Sequence, residues 1–164
     1  AAARARAWAV LEEGWLPQLP RLLGDEEPIP LYALKLCSGA LEADRRRGPG
    51  DGGERRSLMA RLVDLDVVPD FFAFLNLEHA NNNVHNMRVC RLAVASPAVQ
   101  AALLRDLDVA GQVAAVLAYA YENSVDPFLE PALELCAALA DRERAELATA
   151  ASVELGAAAL GRGE

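Results

Sequence analysis

A chain of 164 residues with a formal net charge of −8 and a pI near 4.8 is long enough to bury one sizeable core. Its charge repels a phosphate backbone on average, which disfavours nucleic-acid binding. Hydrophobic residues make up 53% of the chain, which excludes a disordered tail, and no apolar run approaches the roughly 18 residues of a membrane span.

Aromatic residues are only 5%, and alanine and leucine supply most of the apolar content, a composition that favours helices. The chain begins "AAARARAWAVLEEG". Two arginines and many alanines are compatible with a transit peptide, but Glu12 and Glu13 follow at once and no serine appears. With no leading methionine, the expectation is a piece of a longer protein. "RARAWAV" predicts a short helix and "LEEGWLPQLPRLL", from Leu11, a medium one. Pro28 and Pro30 then open a long helix, where a missing N–H costs nothing. The stretch "ADRRRGPGDGGERR", residues 43–56, reads as an exposed insertion. After it come "RRSLMARLVD", a short helix, and "LDVVPDFFAFLNL", from Leu65, a medium one. Asn81 to Asn83 can cap a second long helix. Ser96 before Pro97 predicts the start of the short helix "PAVQAALLRD", and "LDVAGQVAAVLAY", from Leu107, follows as a medium helix. Asp126 before Pro127 starts the third long helix. Beyond Asp141, "RERAELATAASVEL" looks like the first helix of a fourth unit, and the glycines and charge at 161–164 suggest a frayed or truncated end.

These segments repeat. The three cysteines each end a similar phrase, "YALKLC" at 32–37, "HNMRVC" at 85–90 and "PALELC" at 131–136. They stand about 53 and 46 residues apart, and without part of the insertion the period falls near 40 to 47 residues. The expected domain is 1–164, in units of about 1–43, 55–96 and 97–141, a partial unit 142–155 and an exposed loop 44–54. "GWLPQLPRLLGDEEPIPLYALKLCSGAL", residues 14–41, resembles an armadillo repeat, with Gly14, Leu16, Pro17, Leu19, Leu22, Leu23, Ala33, Leu34 and Cys37 in the matching places. The resemblance is best in the first unit and weaker in the other two. It implies an all-α, right-handed α-solenoid of about three armadillo-like three-helix units plus the start of a fourth. Within it, "PIPLYALKL", residues 28–36, looks like the repeat region that follows the kinase domain in Fused-type and Unc-51-like kinases. That similarity implies scaffolding in cilia, Hedgehog-type signalling or microtubule-based assembly.

"HANNNVHNMRVC", residues 79–90, gathers both histidines and one cysteine. A zinc site there needs three or four converging ligands. His85 and Cys90, five residues apart on one helix, point about 140° apart. The three cysteines recur at one inward position, where a thiol packs as a small apolar group and is inert. Metal binding, Cys–His catalysis and a cofactor are therefore not expected. No phosphate-binding loop, serine-hydrolase elbow or kinase motif is present. Three cysteines without a C-x-x-C pair suit a reducing compartment.

Two places remain for partners. Arg45, Arg46 and Arg47 begin the one locally basic stretch, read either as a solvated loop or as a contact to an acidic protein surface. On the long helices, two residues before each cysteine come Lys35, Arg88 and Glu134, and five before come Tyr32, His85 and Pro131. Stacked units align these positions into one concave surface, on which Tyr32, Lys35, His85 and Arg88 are candidate contacts of the type that anchors interfaces. Armadillo proteins that grip extended peptides place asparagines along this helix. Residues 33–40, 87–95 and 132–140 contain none, which argues against such clamping. The expected function is a cytoplasmic, non-catalytic scaffold that holds other proteins, in a ciliary or axonemal assembly by the kinase resemblance. It binds no nucleic acid, membrane or small-molecule substrate. The rival reading is the regulatory repeat tail of a kinase or pseudokinase.

Overall fold

A computed structural model describes residues 2–47, 56–75 and 83–160. Helix α1 (Ala2–Ala9) runs through a π-helical turn (Val10–Trp15) and a 3-10 turn (Leu16–Gln18) into α2 (Leu19–Leu23). Pro17 and Pro20 cause the changes of pitch, because neither has an N–H to donate. The ladder re-registers around them: Leu16 N–H reaches back to Leu11 O, and Leu19 N–H only to Leu16 O. The long helix α3 (Ile29–Arg47) completes the first unit, with Pro30 in its first turn. The second unit is α4 (Leu58–Asp64), α5 (Val68–Ala73) and α6 (Asn83–Val94), and the third is α7 (Ala101–Asp106), α8 (Val109–Glu122) and α9 (Asp126–Leu160). No described residue lies in a strand.

The short and medium helices meet at the same turn in both later units. Leu65-Asp66-Val67 and Leu107-Asp108-Val109 each place the aspartate in the left-handed region, at φ 55° and 47°. A short polar side chain tolerates that backbone better than most. Leu65 and Leu107 N–H groups close the preceding helices on Arg61 O and Leu103 O, both at 3.0 Å. Asp108 also caps α8, its Oδ1 accepting from Gly111 N–H at 3.3 Å. A Cβ on Gly111 would stand 2.3 Å from Asp108 Oδ2, so only glycine leaves the carboxylate its place.

The long helices stack, α3 on α6 and α6 on α9, while α2, α5 and α8 back them one by one. The cysteines mark the inward register: Cys37 and Cys90 are fully buried, Cys136 half-buried. The reason for the difference lies in the neighbouring positions. Three residues before the cysteine, Leu34 and Met87 are buried, whereas Leu133 is 59% exposed. One residue before it, Val89 and Leu135 are buried, whereas Leu36 is 48% exposed. Each interface within the stack is closed, and the outer flanks of α3 and α9 are open.

Three sequence expectations are corrected. The insertion does not begin at 43 or 44: α3 continues to Arg47, and Asp44 is buried, its Oδ2 accepting from Leu58 N–H at 2.8 Å to cap α4 alongside Ser57. Residues 48–54 of the expected loop, and the expected caps Asn81 and Asn82, lie outside the described residues; Asn83 is the first residue of α6. Ser96-Pro97 does not open α7 but forms a turn, with Ser96 Oγ accepting from Ala98 N–H at 3.3 Å, and the helix starts at Ala101. Finally, no break follows Asp141. Residues 132–155 hold neither glycine nor proline, and α9 runs unbroken from Asp126 to Leu160.

Candidate protein-interaction surface

The stack fixes which side chains share its exposed face. Two residues before the cysteine, Lys35, Arg88 and Glu134 are all exposed, as their helical register requires. The row five residues before does not behave alike. Pro131 is buried and His85 half-buried, whereas Tyr32, on the first long helix of the stack, is 63% exposed. The expected Tyr32–His85–Pro131 column is therefore not a solvent-facing column.

What the fold does bring together is Lys35 on α3 with His85 and Arg88 on α6. Partial burial, then the positive charges of Arg88 and Lys35, hold the His85 imidazolium below the usual histidine range. Among the described residues neither Lys35 nor Arg88 has a carboxylate partner. Tyr32 stands one turn before Lys35 on α3.

Next to this cluster the same face is neutralised. Arg91 pairs with Glu42 of α3 at 2.7 Å and with Glu134 of α9 at 3.3 Å, so one guanidinium bridges all three long helices. Arg142 of α9 donates to Val94 O at 2.8 Å and Ser96 O at 3.1 Å, and also to Val99 O. It thereby satisfies the carbonyls of Val94 and Val99 and adds a second donor to Ser96 O, which also accepts from Val99 N–H at 3.2 Å. Glu146 holds Arg142 at 3.0 Å and Arg105 at 3.2 Å. Between α6 and α9 lies an open cleft of about 580 Å³, lined by Arg91, Ala95, Ser96, Glu134, Ala137 and Arg142 among others.

Arg45, Arg46 and Arg47 are exposed on the last turn of α3, where cations favour the helix dipole. Arg47 lies over the Trp8 ring, 4.3 Å from its centroid. These three residues are thus a helix end and not part of a loop.

The sulfur chemistry is that of a core. Burial pushes the Cys37 thiol up to about 12, raises Cys90 well above its ordinary value with Cys37 adding to the effect, and raises Cys136. A raised thiol is a poor nucleophile and a poor metal ligand. Cys90 Sγ donates to Phe71 O at 3.4 Å, an oxygen that also accepts from the buried Asn86 Nδ2 at 2.6 Å. Among the described residues no group of three or more His, Cys, Asp or Glu side chains is placed to hold a metal, and no helix is long and apolar enough to cross a membrane. His79 lies outside the described residues.

The RUNKEL ARM-repeat domain matches residues 66–160, from the α4–α5 turn to the end of α9. The chain belongs to the RUNKEL ARM-repeat family. The first unit has a second kinship: residues 2–46 match the HEAT repeats of ULK4-like serine/threonine-protein kinases. Among curated proteins, the serine/threonine-protein kinase RUNKEL of Arabidopsis thaliana is 31% identical over 124 residues, covering 76% of this chain. The chain spans only 8% of that relative's length. No solved structure matches it. The RUNKEL ARM repeats of this chain are thus an all-α armadillo/HEAT-type solenoid, a repeat region related to those of kinases, and the "PIPLYALKL" phrase falls inside the ULK4-like match.

Proposed function

We propose that this segment is a non-catalytic scaffold which holds other proteins within a larger assembly. The observation that carries the reading is the bridged stack: three long helices locked side by side by Glu42–Arg91–Glu134 and by the Arg142 cap, with a polar face left open. A stack pinned by side chains that span its members is a preorganised surface, and preorganisation lowers the ordering cost of binding. Kinship with repeat regions of kinases supports a second form of the same reading, in which the segment is the regulatory repeat tail of a kinase or pseudokinase. A cytoplasmic setting, and a microtubule-based assembly such as a ciliary axoneme, is part of the proposal through the likeness to Unc-51-like kinases; imaging of the tagged longer protein tests it.

The scaffold reading is tested by competition. The longer protein is used to capture partners from extract, with or without an excess of the 164-residue chain. Displacement of a defined set of partners is the expected result. Retention of every captured protein at saturating competitor overturns the reading.

A further inference from the structure

We propose that the outer flank of α3 seats one more repeat: in the longer protein, the long helix of a preceding unit packs along Ile29, Tyr32, Leu36, Gly39 and Ala43. The contact is internal to that protein and holds whether or not the segment captures partners. These residues stand eight, five and one before Cys37 and two and six after it, so they form one stripe on α3. On α9 the same register holds Phe128, Pro131, Leu135, Ala138 and Arg142, all buried or half-buried. On α6 it holds His85, Val89 and Leu92, again buried or half-buried. Both of these helices have a long helix packed before them. Leu92 shares a cavity wall with Leu41 and Asp44 of α3, Ala138 lines the cleft beside Val94 of α6, and Arg142 donates to Val94 O. The register thus meets the preceding long helix wherever one is present. On α3 every one of its positions is exposed, and none is charged. The stripe lies about 80° round the helix from Lys35, so it is the side of the stack and not its open polar face.

Gly39 is an independent sign of the same contact. It stands in the middle of α3, where glycine costs stability relative to alanine. A Cβ there would meet nothing within 4 Å, so no packing among the described residues calls for glycine. A close backbone approach from outside them does. The stripe narrows from Ile29, Tyr32 and Leu36 to Gly39 and Ala43, so the covering helix comes nearest to the C-terminal half of α3. The occupant follows from continuity with the interfaces already formed. Towards the next unit, α3 presents Leu34 and Leu41 and α6 presents Met87 and Val94, apolar residues seven apart and all buried. The incoming helix is therefore amphipathic, with apolar residues at i and i+7. Residues 2–46 match HEAT repeats, which favours a further repeat over an unrelated helix.

The test is hydroxyl-radical footprinting of the longer protein and of the 164-residue chain, read by mass spectrometry at Tyr32 and Leu36. Oxidation at both residues is expected to fall at least about fivefold in the longer protein, the change that burial of exposed side chains brings. Deleting the roughly 45 residues before residue 1, about one repeat, should restore the rate seen in the 164-residue chain. Gly39→Leu in the longer protein should restore at least half of it, while the 164-residue chain with the same change melts no lower than its parent. Equal oxidation in the longer protein and the 164-residue chain overturns the proposal. So does protection that outlasts the deletion, since other parts of the protein then cover the flank. Protection of the 164-residue chain that grows with its own concentration gives the flank to a second copy and overturns it as well. A Gly39→Leu chain that melts lower, or a longer Gly39→Leu protein that stays fully protected, overturns the close approach at Gly39. None of these outcomes bears on the competition experiment, which tests the scaffold reading separately.

Discussion

Arg142 is the most exacting test of how the stack is held. Its side chain is only 18% exposed, and its guanidinium serves three carbonyl oxygens, those of Val94, Ser96 and Val99, as well as Glu146. Arg142→Met keeps most of the aliphatic stem and removes the donors. A hydrogen bond to a charged group contributes about 1.5–3 kcal/mol, and a stranded carbonyl loses its desolvation compensation. Water can reach part of this site from the open cleft, so the three bonds together should be worth less than their sum, about 2–4 kcal/mol. Arg142→Lys retains a charge but not the planar fork, and should lose roughly half as much. Urea denaturation followed by far-UV circular dichroism measures both, with the slope checked for constancy. Glu146→Gln is the control, because a partly exposed ion pair is worth under about 1 kcal/mol. A loss below about 1 kcal/mol for Arg142→Met, or a loss no larger than that of Glu146→Gln, refutes the view that this side chain joins α9 to the end of α6.

The other predictions follow from the same contacts. Asn86→Leu leaves Phe71 O with the Cys90 thiol as its remaining side-chain donor and should cost about 1–3 kcal/mol in the same denaturation assay. Asp108→Ala removes a cap and leaves a less tolerant residue in the left-handed region, costing about 1–2 kcal/mol, whereas Asp66→Gly should stabilise by a few tenths to about 1 kcal/mol. Thiol titration of the native chain should find Cys136 reacting first, with Cys37 and Cys90 reacting only on unfolding. Arg88→Gln should raise the pKa of His85 in an NMR titration. Because the folded His85 pKa lies below its unfolded value, the unfolded chain takes up the proton first. Stability should therefore fall as the pH drops through about 6.5, and fall less in that variant.

The periodic part of the fold was legible because its causes are local. Cysteine-anchored phrases at a steady spacing, prolines at helix starts and Asp126 before Pro127 fix where the long helices lie, and α3 and α9 begin there. The expected insertion misled at Asp44, since an acidic residue beside an arginine run reads as solvated until α4 is seen to use it as a cap. The break expected after Asp141 came from extending the repeat beyond any local stop signal. In the surface, Lys35, Arg88 and Glu134 follow from helical register alone. The burial of Pro131 and the half-burial of His85 depend on how the units stack, which no single helix encodes. Arg91, Arg142 and Asn86 escaped notice because their partners are distant in sequence: Glu42 lies 49 residues from Arg91, and Val94 lies 48 from Arg142. The one available signal was Asn86 itself, a polar residue four before Cys90 on an otherwise apolar stripe.

The central claim is that the open face of the stacked helices, and not another surface, makes contact with protein partners. Affinity capture by the longer protein carrying Lys35→Glu and Arg88→Glu, compared with the parent at matched abundance, tests it most directly. The account predicts that the partners displaced by free 164-residue chain are the ones lost, while the melting temperature of the variant chain is unchanged. Undiminished capture of those same partners by the charge-reversed protein contradicts it.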